Sequence, residues 1–209
     1  MSRALDRCSP IKPTISYASP KNGRWLYCES TSERDALLDH EFDRTVIGFT
    51  TQPTTYSYVN GGKKRVYTPD TLVIRHPDAP GPKVFFEEIK PEGTQGGPDF
   101  EAKYALLRYL FLHEVRAPLV LRFMPPAWAP AARTINQRYL YPALALTPNV
   151  DLLHRLQETS DSLTFGEAKS VAMKEYGTAS GVLPLLAHYL LAFDWDAPLN
   201  DATRLEVSP

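Results

Sequence analysis

The segment "YTPDTLVIRHPDAPGPKVFFEEIKPE", residues 67–92, carries acidic residues and a lysine inside what are otherwise two apolar strand patterns. A loop rich in proline and glycine separates the two patterns, which is typical of a hairpin. Successive side chains of a strand point to opposite faces, so Glu88 and Lys90 share one face and Glu87 lies on the other. If the turn is centred on the loop, Asp70 lies directly opposite Glu88.

Asp70 and Glu88 would then form a carboxylate pair with Cβ atoms about 4.5 to 5.5 Å apart. Two ionised carboxylates at this distance repel each other unless one is protonated or a cation lies between them. Hard oxygen ligands without histidine or thiolate favour Mg²⁺ or Mn²⁺. The pattern therefore predicts a divalent metal site, with Lys90 placed to orient a water or to neutralise charge on a phosphate.

Each of these residues also has a purely structural interpretation. Asp70 follows a proline and would then cap a turn, and Glu88 with Lys90 would form an ordinary surface ion pair. Glu87 is expected to be an outward-facing or loosely packed charge. We favour the metal site because Asp70, Glu88 and Lys90 fall on one face at matching positions.

The composition is typical of a folded globular protein. The chain has 209 residues and 23.5 kDa, with 43% hydrophobic and 22% charged residues, enough for one core or for a medium domain and a small one. Its apolar runs are shorter than a membrane span and it begins without a secretory signal pattern, so we expect a cytoplasmic protein. The five histidines lack metal-ligand spacing, and Cys8 and Cys28 are interpreted as unpaired thiols.

The order of predicted elements indicates an α/β protein with a helical tail. A helix opening near Ser30 precedes several antiparallel strands, two of them joined by "NGG", a strong hairpin signal. A helix, a short apolar strand and another helix follow, and then three short helices with a terminal ribbon. We therefore predict a basic arm over residues 1–28, an α/β core over 29–148 and a small winged-helix-like domain over 149–209.

The combination Pro69-Asp70 and Glu88-Ile89-Lys90 on adjacent strands resembles the PD-(D/E)xK nuclease signature. Together with "ESTSERDALLDHEFDRTVIGFTTQP" and "LTFGEA", it is similar to the TnsA-type endonucleases of heteromeric transposases over about residues 25–205. This resemblance implies a restriction-endonuclease-like core, a mixed sheet flanked by helices. It also implies a bacterial Mg²⁺-dependent DNA endonuclease that nicks the 5′ strands at transposon ends, with a DDE-type transposase and an AAA+ ATPase regulator as partners.

The resemblance implies roles for individual residues. Glu33 matches an acid on the first helix, although its spacing from Ser30 also fits a helix-capping pair. Asp70 and Glu88 match the metal ligands, Lys90 the catalytic lysine, and Gln52 a Gln-Pro motif for which no role is assigned. The backbone carbonyl of Ile89 would complete the shell of one or two Mg²⁺ or Mn²⁺ ions.

Basic side chains near the hairpin are expected to contact DNA phosphates, or else to be solvated surface: Lys63, Lys64, Arg65 and Lys103. A net charge of −1 argues against DNA binding by global attraction, so partners would assist. The acidic terminal segment disfavours phosphate, and we expect the tail to dock a partner protein. Two alternatives stay open, a stand-alone restriction, repair or junction-resolving nuclease of the same fold and an inactive adaptor that binds DNA or the ATPase.

Overall fold

The computed structural model describes residues 14–94, 96–160 and 162–207. It divides the chain into two compact units, Met1–Ala129 and Pro130–Pro209. Within the described residues, none of the helices is long and apolar enough to cross a membrane. Residues 1–13, which contain the first part of the predicted basic arm and Cys8, lie outside the described part.

The described residues of the first unit form helices and strands in this order: β1 (Ile15–Ser19), β2 (Arg24–Cys28), α1 (Thr31–Phe42), β3 (Val46–Thr51), β4 (Tyr56–Asn60), β5 (Lys63–Tyr67), β6 (Thr71–Arg75), β7 (Val84–Pro91), α2 (Pro98–Leu110) and β8 (Leu119–Met124). A four-stranded sheet has the order β3-β6-β7-β8. Its first three strands are antiparallel, and β8 runs parallel to β7. A parallel neighbour requires a crossover, and α2 lies in that connection. The predicted α/β class with a mixed sheet is confirmed.

The two helices of this unit pack through opposite faces of β7. Ile89 of β7 clusters with Ala36 of α1 and with Met124. Phe86, three residues earlier and of opposite parity, clusters with Tyr104 and other apolar residues of α2. Because side chains alternate along a strand, Glu87 shares the α1 face with Ile89, and Glu88 shares the α2 face with Phe86.

The hairpin of β4 and β5 forms a two-stranded sheet of its own. Its turn residues Gly61 and Gly62 have φ values of 56° and 72°, a left-handed conformation that glycine adopts without steric cost. The base of the hairpin is fixed by Tyr56 and Tyr67, whose rings pack edge-on against Phe111. The hairpin predicted from "NGG" is therefore confirmed.

The predicted arm over residues 1–28 is wrong for its second half. Residues 15–28 form an antiparallel hairpin in which Ile15 pairs with Cys28. Tyr17, Leu26 and Cys28 are buried, and the Tyr17 hydroxyl donates to the buried carboxylate of Glu41. Of the hairpin's two basic residues, Arg24 is exposed and Lys21 is partly buried, with its ammonium donating to the carbonyls of His40 and Asp43.

The second unit contains four helices and three short strands among its described residues: α3 (Ala132–Leu140), α4 (Val150–Thr159), β9 (Ser162–Thr164), α5 (Phe165–Tyr176), α6 (Val182–Ala187), β10 (Leu191–Ala192) and β11 (Arg204–Val207). The strands form an antiparallel sheet of order β10-β11-β9. A capping box of Thr164 and Glu167 opens α5.

The structural division at residue 129 differs from the predicted boundary at 148, because α3 belongs to the second unit. The buried Asn136 side chain donates to the carbonyls of Trp195 and Ala197, at 3.0 and 2.8 Å. Its oxygen accepts from the Leu199 N–H at 3.0 Å. These three bonds attach α3 to the segment before β11, a contact over about 60 residues that local patterns do not reveal.

Candidate active site

Asp70 lies immediately before β6, at the point where this strand pairs with β7. Thr71 pairs with Glu87, and the Asp70 N–H donates to the Glu87 carbonyl at 3.0 Å. The Asp70 carboxylate accepts from the Ile89 N–H at 2.7 Å. Asp70 thus forms hydrogen bonds with the backbone of Glu87 and Ile89, the two residues that flank Glu88. This confirms the cross-strand arrangement predicted from the turn.

The predicted repulsion between the carboxylates is present. The pKa of Asp70 is raised from its ordinary 3.8 to about 7. Burial is the largest cause, followed by the nearby charges of Glu88 and Glu33. The Ile89 N–H and the Lys90 ammonium oppose this increase. The site therefore carries more negative charge than its own cations neutralise.

Glu88 is buried, with 6% of its surface exposed, and three donors surround its carboxylate. The Tyr67 hydroxyl donates to Oε2 at 2.6 Å, and the Tyr104 hydroxyl donates to Oε1 at 2.7 Å. Lys90 Nζ lies 2.6 Å from the same Oε1. The ion pair with Lys90 exists, but it is not the ordinary surface pair of the alternative interpretation, because one partner is buried.

The two tyrosines were not among the predicted site residues. Tyr67 closes β5 three residues before Asp70, and Tyr104 lies on the apolar face of α2 with Leu107. Their rings read as core residues in the sequence. The position of a hydroxyl at the end of a buried ring depends on tertiary packing, so local patterns give no direct signal for it.

Glu33 forms the capping arrangement that the sequence left open. Its carboxylate accepts from the Ser30 hydroxyl at 2.8 Å and from the Glu29 N–H at 2.9 Å, and its N–H donates to Ser30 Oγ. Its charge still acts on Asp70. Among residues 14–94, 96–160 and 162–207, however, no three His, Cys, Asp or Glu side chains lie close enough to hold one metal ion, so a direct metal contact of Glu33 stays a prediction.

Gln52 connects Asp70 to the start of α1. Its N–H donates to the Asp70 carbonyl at 2.8 Å, and its side-chain amide donates to Glu29 at 3.0 Å. Gln52 adopts a φ of 43°, which is uncommon for a residue other than glycine. Backbone strain of this kind concentrates at functional sites. Here the strained residue holds the backbone of Asp70, a candidate metal ligand, through its N–H.

Glu87 is neither outward-facing nor loosely packed, so that prediction is wrong. Only 4% of its surface is exposed, and its carboxylate lies 2.6 Å from His40 Nε2 and 3.6 Å from an Arg122 nitrogen. Burial alone would raise the pKa of Glu87, but His40 and Arg122 outweigh it and hold the pKa below its ordinary value. The predicted assignment of Glu87 and Glu88 to opposite faces is correct.

Comparison with known families identifies the region that contains these carboxylates. Residues 43–108 match the family model described as TnsA-like endonuclease N terminal. This region is a TnsA-like endonuclease domain. The mixed sheet β3-β6-β7-β8 and its flanking helices are consistent with a restriction-endonuclease-like core. A search of curated proteins found no match.

The matched region of the TnsA-like domain contains Asp70, Glu88 and Lys90 but not Glu33. It also contains Gln52 and both tyrosines. Asp70, Glu88 and Lys90 therefore lie within the matched segment, whereas Glu33 lies before it.

The donor set of the TnsA-like domain fits a hard divalent cation. The repelling oxygens of Asp70 and Glu88 are the ligand type that Mg²⁺ and Mn²⁺ prefer. The backbone of Ile89 also faces this side, since its N–H donates to Asp70, whereas Phe86 and Glu92 direct their N–H groups to the opposite neighbour. The N–H and C=O of one strand residue point the same way, which is the orientation that the predicted Ile89 carbonyl ligand requires.

The predicted DNA-contacting residues of the TnsA-like domain are exposed. Lys63, Lys64 and Arg65 lie on β5, beyond the base of the hairpin. The Lys103 ammonium lies 4.9 Å from the centre of the Tyr104 ring and 5.9 Å from that of Tyr67. Lys103 is therefore next to the rings whose hydroxyls hold Glu88.

Proposed function

We propose that the protein is a metal-dependent DNA endonuclease subunit of a heteromeric transposase that nicks the 5′ strands at transposon ends. The observation that carries this proposal is the opposition of Asp70 and Glu88, with Lys90 beside them, in a TnsA-like endonuclease domain. A repelling carboxylate pair beside a lysine suits hydrolysis of a phosphodiester.

Asp70 and Glu88, with the Ile89 carbonyl, would hold Mg²⁺ or Mn²⁺. When bound, the ion lowers the pKa of a water nucleophile and stabilises charge on the phosphate. Gln52 fixes the backbone of Asp70, and the Ile89 N–H fixes one of its carboxylate oxygens. Lys90 Nζ, which is partly exposed, would donate a hydrogen bond to the attacking water or to the phosphate oxygen on which charge develops.

The β4-β5 hairpin and Lys103 provide cations for the DNA backbone. The hairpin from Tyr56 to Tyr67 contains no acidic residue, so the charges of Lys63, Lys64 and Arg65 are unopposed within it. Lys103 lies beside the Glu88 tyrosines. We expect these four residues to contact phosphates near the scissile bond, because cations at the backbone position the duplex.

The second unit would dock a partner protein, either the DDE-type transposase or the AAA+ ATPase. We interpret its order of α4, β9, α5, α6, β10 and β11 as the predicted winged-helix-like arrangement. In a winged helix that reads DNA, the third helix enters the major groove. Here that position belongs to α6, an apolar helix whose Val182, Leu185 and Leu186 are buried, and this favours protein docking over base recognition.

The test is cleavage of transposon-end DNA by the purified protein, alone and with a DDE-type transposase partner, in Mg²⁺ and in chelator. We expect nicks on the 5′ strands that require Mg²⁺ and the transposase, and that disappear in Asp70→Asn. Asp78→Asn is the matched control, because Asp78 lies in the loop after the same strand with its side chain 91% exposed.

Three results would redirect the proposal. Robust cleavage of plain or branched DNA without a partner would favour the stand-alone nuclease. Binding of DNA or of the ATPase without any cleavage, under conditions where the transposase is active, would favour the inactive adaptor. Undiminished nicking by Asp70→Asn would refute the assigned site.

A further inference from the structure

Two tyrosine hydroxyls from different elements converge on one buried carboxylate. Tyr67 at the end of β5 donates to Oε2 of Glu88, and Tyr104 in the middle of α2 donates to Oε1, at 2.6 and 2.7 Å. Each oxygen of the carboxylate therefore has its own phenol. A buried carboxylate needs such donors to offset lost hydration. Because each oxygen has a separate hydroxyl donor, the two bonds also fix the orientation of the carboxylate.

The hydroxyl positions are set by the core. Tyr67 and Tyr104 have 7% and 3% of their surface exposed. The Tyr67 ring packs edge-on against Phe111 with centroids 5.7 Å apart, and the Tyr104 ring packs against Phe100 at 4.5 Å. Neither phenol can turn away without disrupting these contacts, so the two donors hold Glu88 in place before any ligand binds.

Phenols differ from cations in what they do to the carboxylate. His40 and Arg122 provide Glu87 with cationic or charge-assisted donors, whereas Glu88 receives two neutral phenols and one cation, Lys90. A carboxylate oxygen has two acceptor positions. Tyr104 and Lys90 occupy both positions of Oε1, whereas Oε2 accepts from Tyr67 and keeps its second position for a cation.

We propose that Tyr67 and Tyr104 form a tyrosine clamp that positions Glu88 as a ligand for Mg²⁺ or Mn²⁺. The inference rests on the proposed function, because it assigns these residues to the metal site of the nuclease. The clamp acts through Glu88 and makes no contact with substrate. Residues that orient a metal ligand typically change metal affinity or activity about 10- to 100-fold when mutated.

The experiment compares Tyr67→Phe, Tyr104→Phe and the double variant with wild type, as full-length chains without DNA. Mn²⁺ binding is measured by titration calorimetry. Each single variant should raise the Mn²⁺ Kd about 10-fold or more. Tyr56→Phe is the matched control, because Tyr56 lies in the same hairpin and packs against Phe86 and Phe111, but the structure shows no bond from its hydroxyl to Glu88.

A second measurement separates orientation from packing. Mn²⁺ binding to wild type should change the ultraviolet difference spectrum of tyrosine, since the phenols share their acceptor with the ion, and the double variant should lose this signal. If one variant fails to fold, the other still tests the clamp, because the two tyrosines lie on different elements.

The clamp is refuted if both single variants bind Mn²⁺ as wild type does, or if Tyr56→Phe weakens binding equally. Failure of the proposed function gives a different result, in which wild type itself binds no Mn²⁺ and cleaves no DNA. That result overturns both proposals, whereas unchanged variants of an active, metal-binding protein overturn the clamp alone.

Discussion

Asp70→Asn should abolish nicking and at the same time stabilise the metal-free protein near pH 8. Burial and the charges of Glu88 and Glu33 raise the pKa of Asp70 from its ordinary 3.8 to about 7. An ionised Asp70 is therefore unfavourable in the fold. Asparagine removes the charge and keeps an oxygen that can accept from the Ile89 N–H.

The size and pH dependence follow from the two pKa values. Below about pH 4, Asp70 is protonated in both the folded and the unfolded chain, and its charge costs nothing. Between about pH 4 and 7 the unfolded chain releases the proton while the folded chain keeps it, so stability falls as the pH rises. Above pH 7 the loss is complete, and three pH units correspond to about 4 kcal/mol.

The assay is urea unfolding of wild type, Asp70→Asn and Asp78→Asn in chelator, at pH 4.5 and pH 8. We expect Asp70→Asn to gain about 2 to 4 kcal/mol over wild type at pH 8, and much less at pH 4.5. Added Mg²⁺ should stabilise wild type but not Asp70→Asn, because only a chain that binds the ion gains from it. A variant that is less stable than wild type at pH 8 would refute the reasoning about repulsion.

The remaining predictions concern the opposite face, the hairpin and the thiol. Glu87→Gln should lower the free energy of unfolding by about 3 kcal/mol, because it leaves His40 and Arg122 without their buried partner; Glu92→Gln, an exposed change after the same strand, should have little effect in urea unfolding. Replacing Lys63, Lys64 and Arg65 by alanine should reduce the slope of log K against log salt for DNA binding by about 3, measured by fluorescence anisotropy, if each residue neutralises one phosphate; an unchanged slope would exclude the hairpin from the interface. In a Cys8→Ser background, Cys28 should react with a thiol reagent at pH 8 only after denaturation, since it is buried and burial raises its pKa to about 12; fast labelling of the native chain would contradict the packing of β2.

The carboxylate pair could be predicted from the sequence because short-range rules determine it. Strand alternation assigned Glu87 and Glu88 to opposite faces, and the length of the loop after β6 set the pairing of Thr71 with Glu87. Both rules act within about 20 residues. The position of Asp70 opposite Glu88 could therefore be predicted without knowledge of the rest of the fold.

The partners of these residues could not be predicted, because their positions depend on how separate elements pack against one another. His40 reaches Glu87 from 47 positions away, and its burial turns an expected surface charge into part of the core. Tyr104 reaches Glu88 from α2, on the other side of the sheet. The left-handed backbone of Gln52 is likewise a tertiary effect, since the residue before a proline normally prefers extended conformations.

The contrast between Glu87 and Glu88 explains why one strand carries two adjacent acids. On the α1 face, His40 and Arg122 neutralise Glu87 within the fold, and Arg122 also pairs with Asp39. On the α2 face, Glu88 receives two neutral phenols and a single ammonium, while Asp70 and Glu33 add further negative charge. A core selected only for stability would place cations on both faces. The fold instead provides one ammonium, Lys90, for the carboxylates of Glu88, Asp70 and Glu33, and a divalent cation can complete that balance.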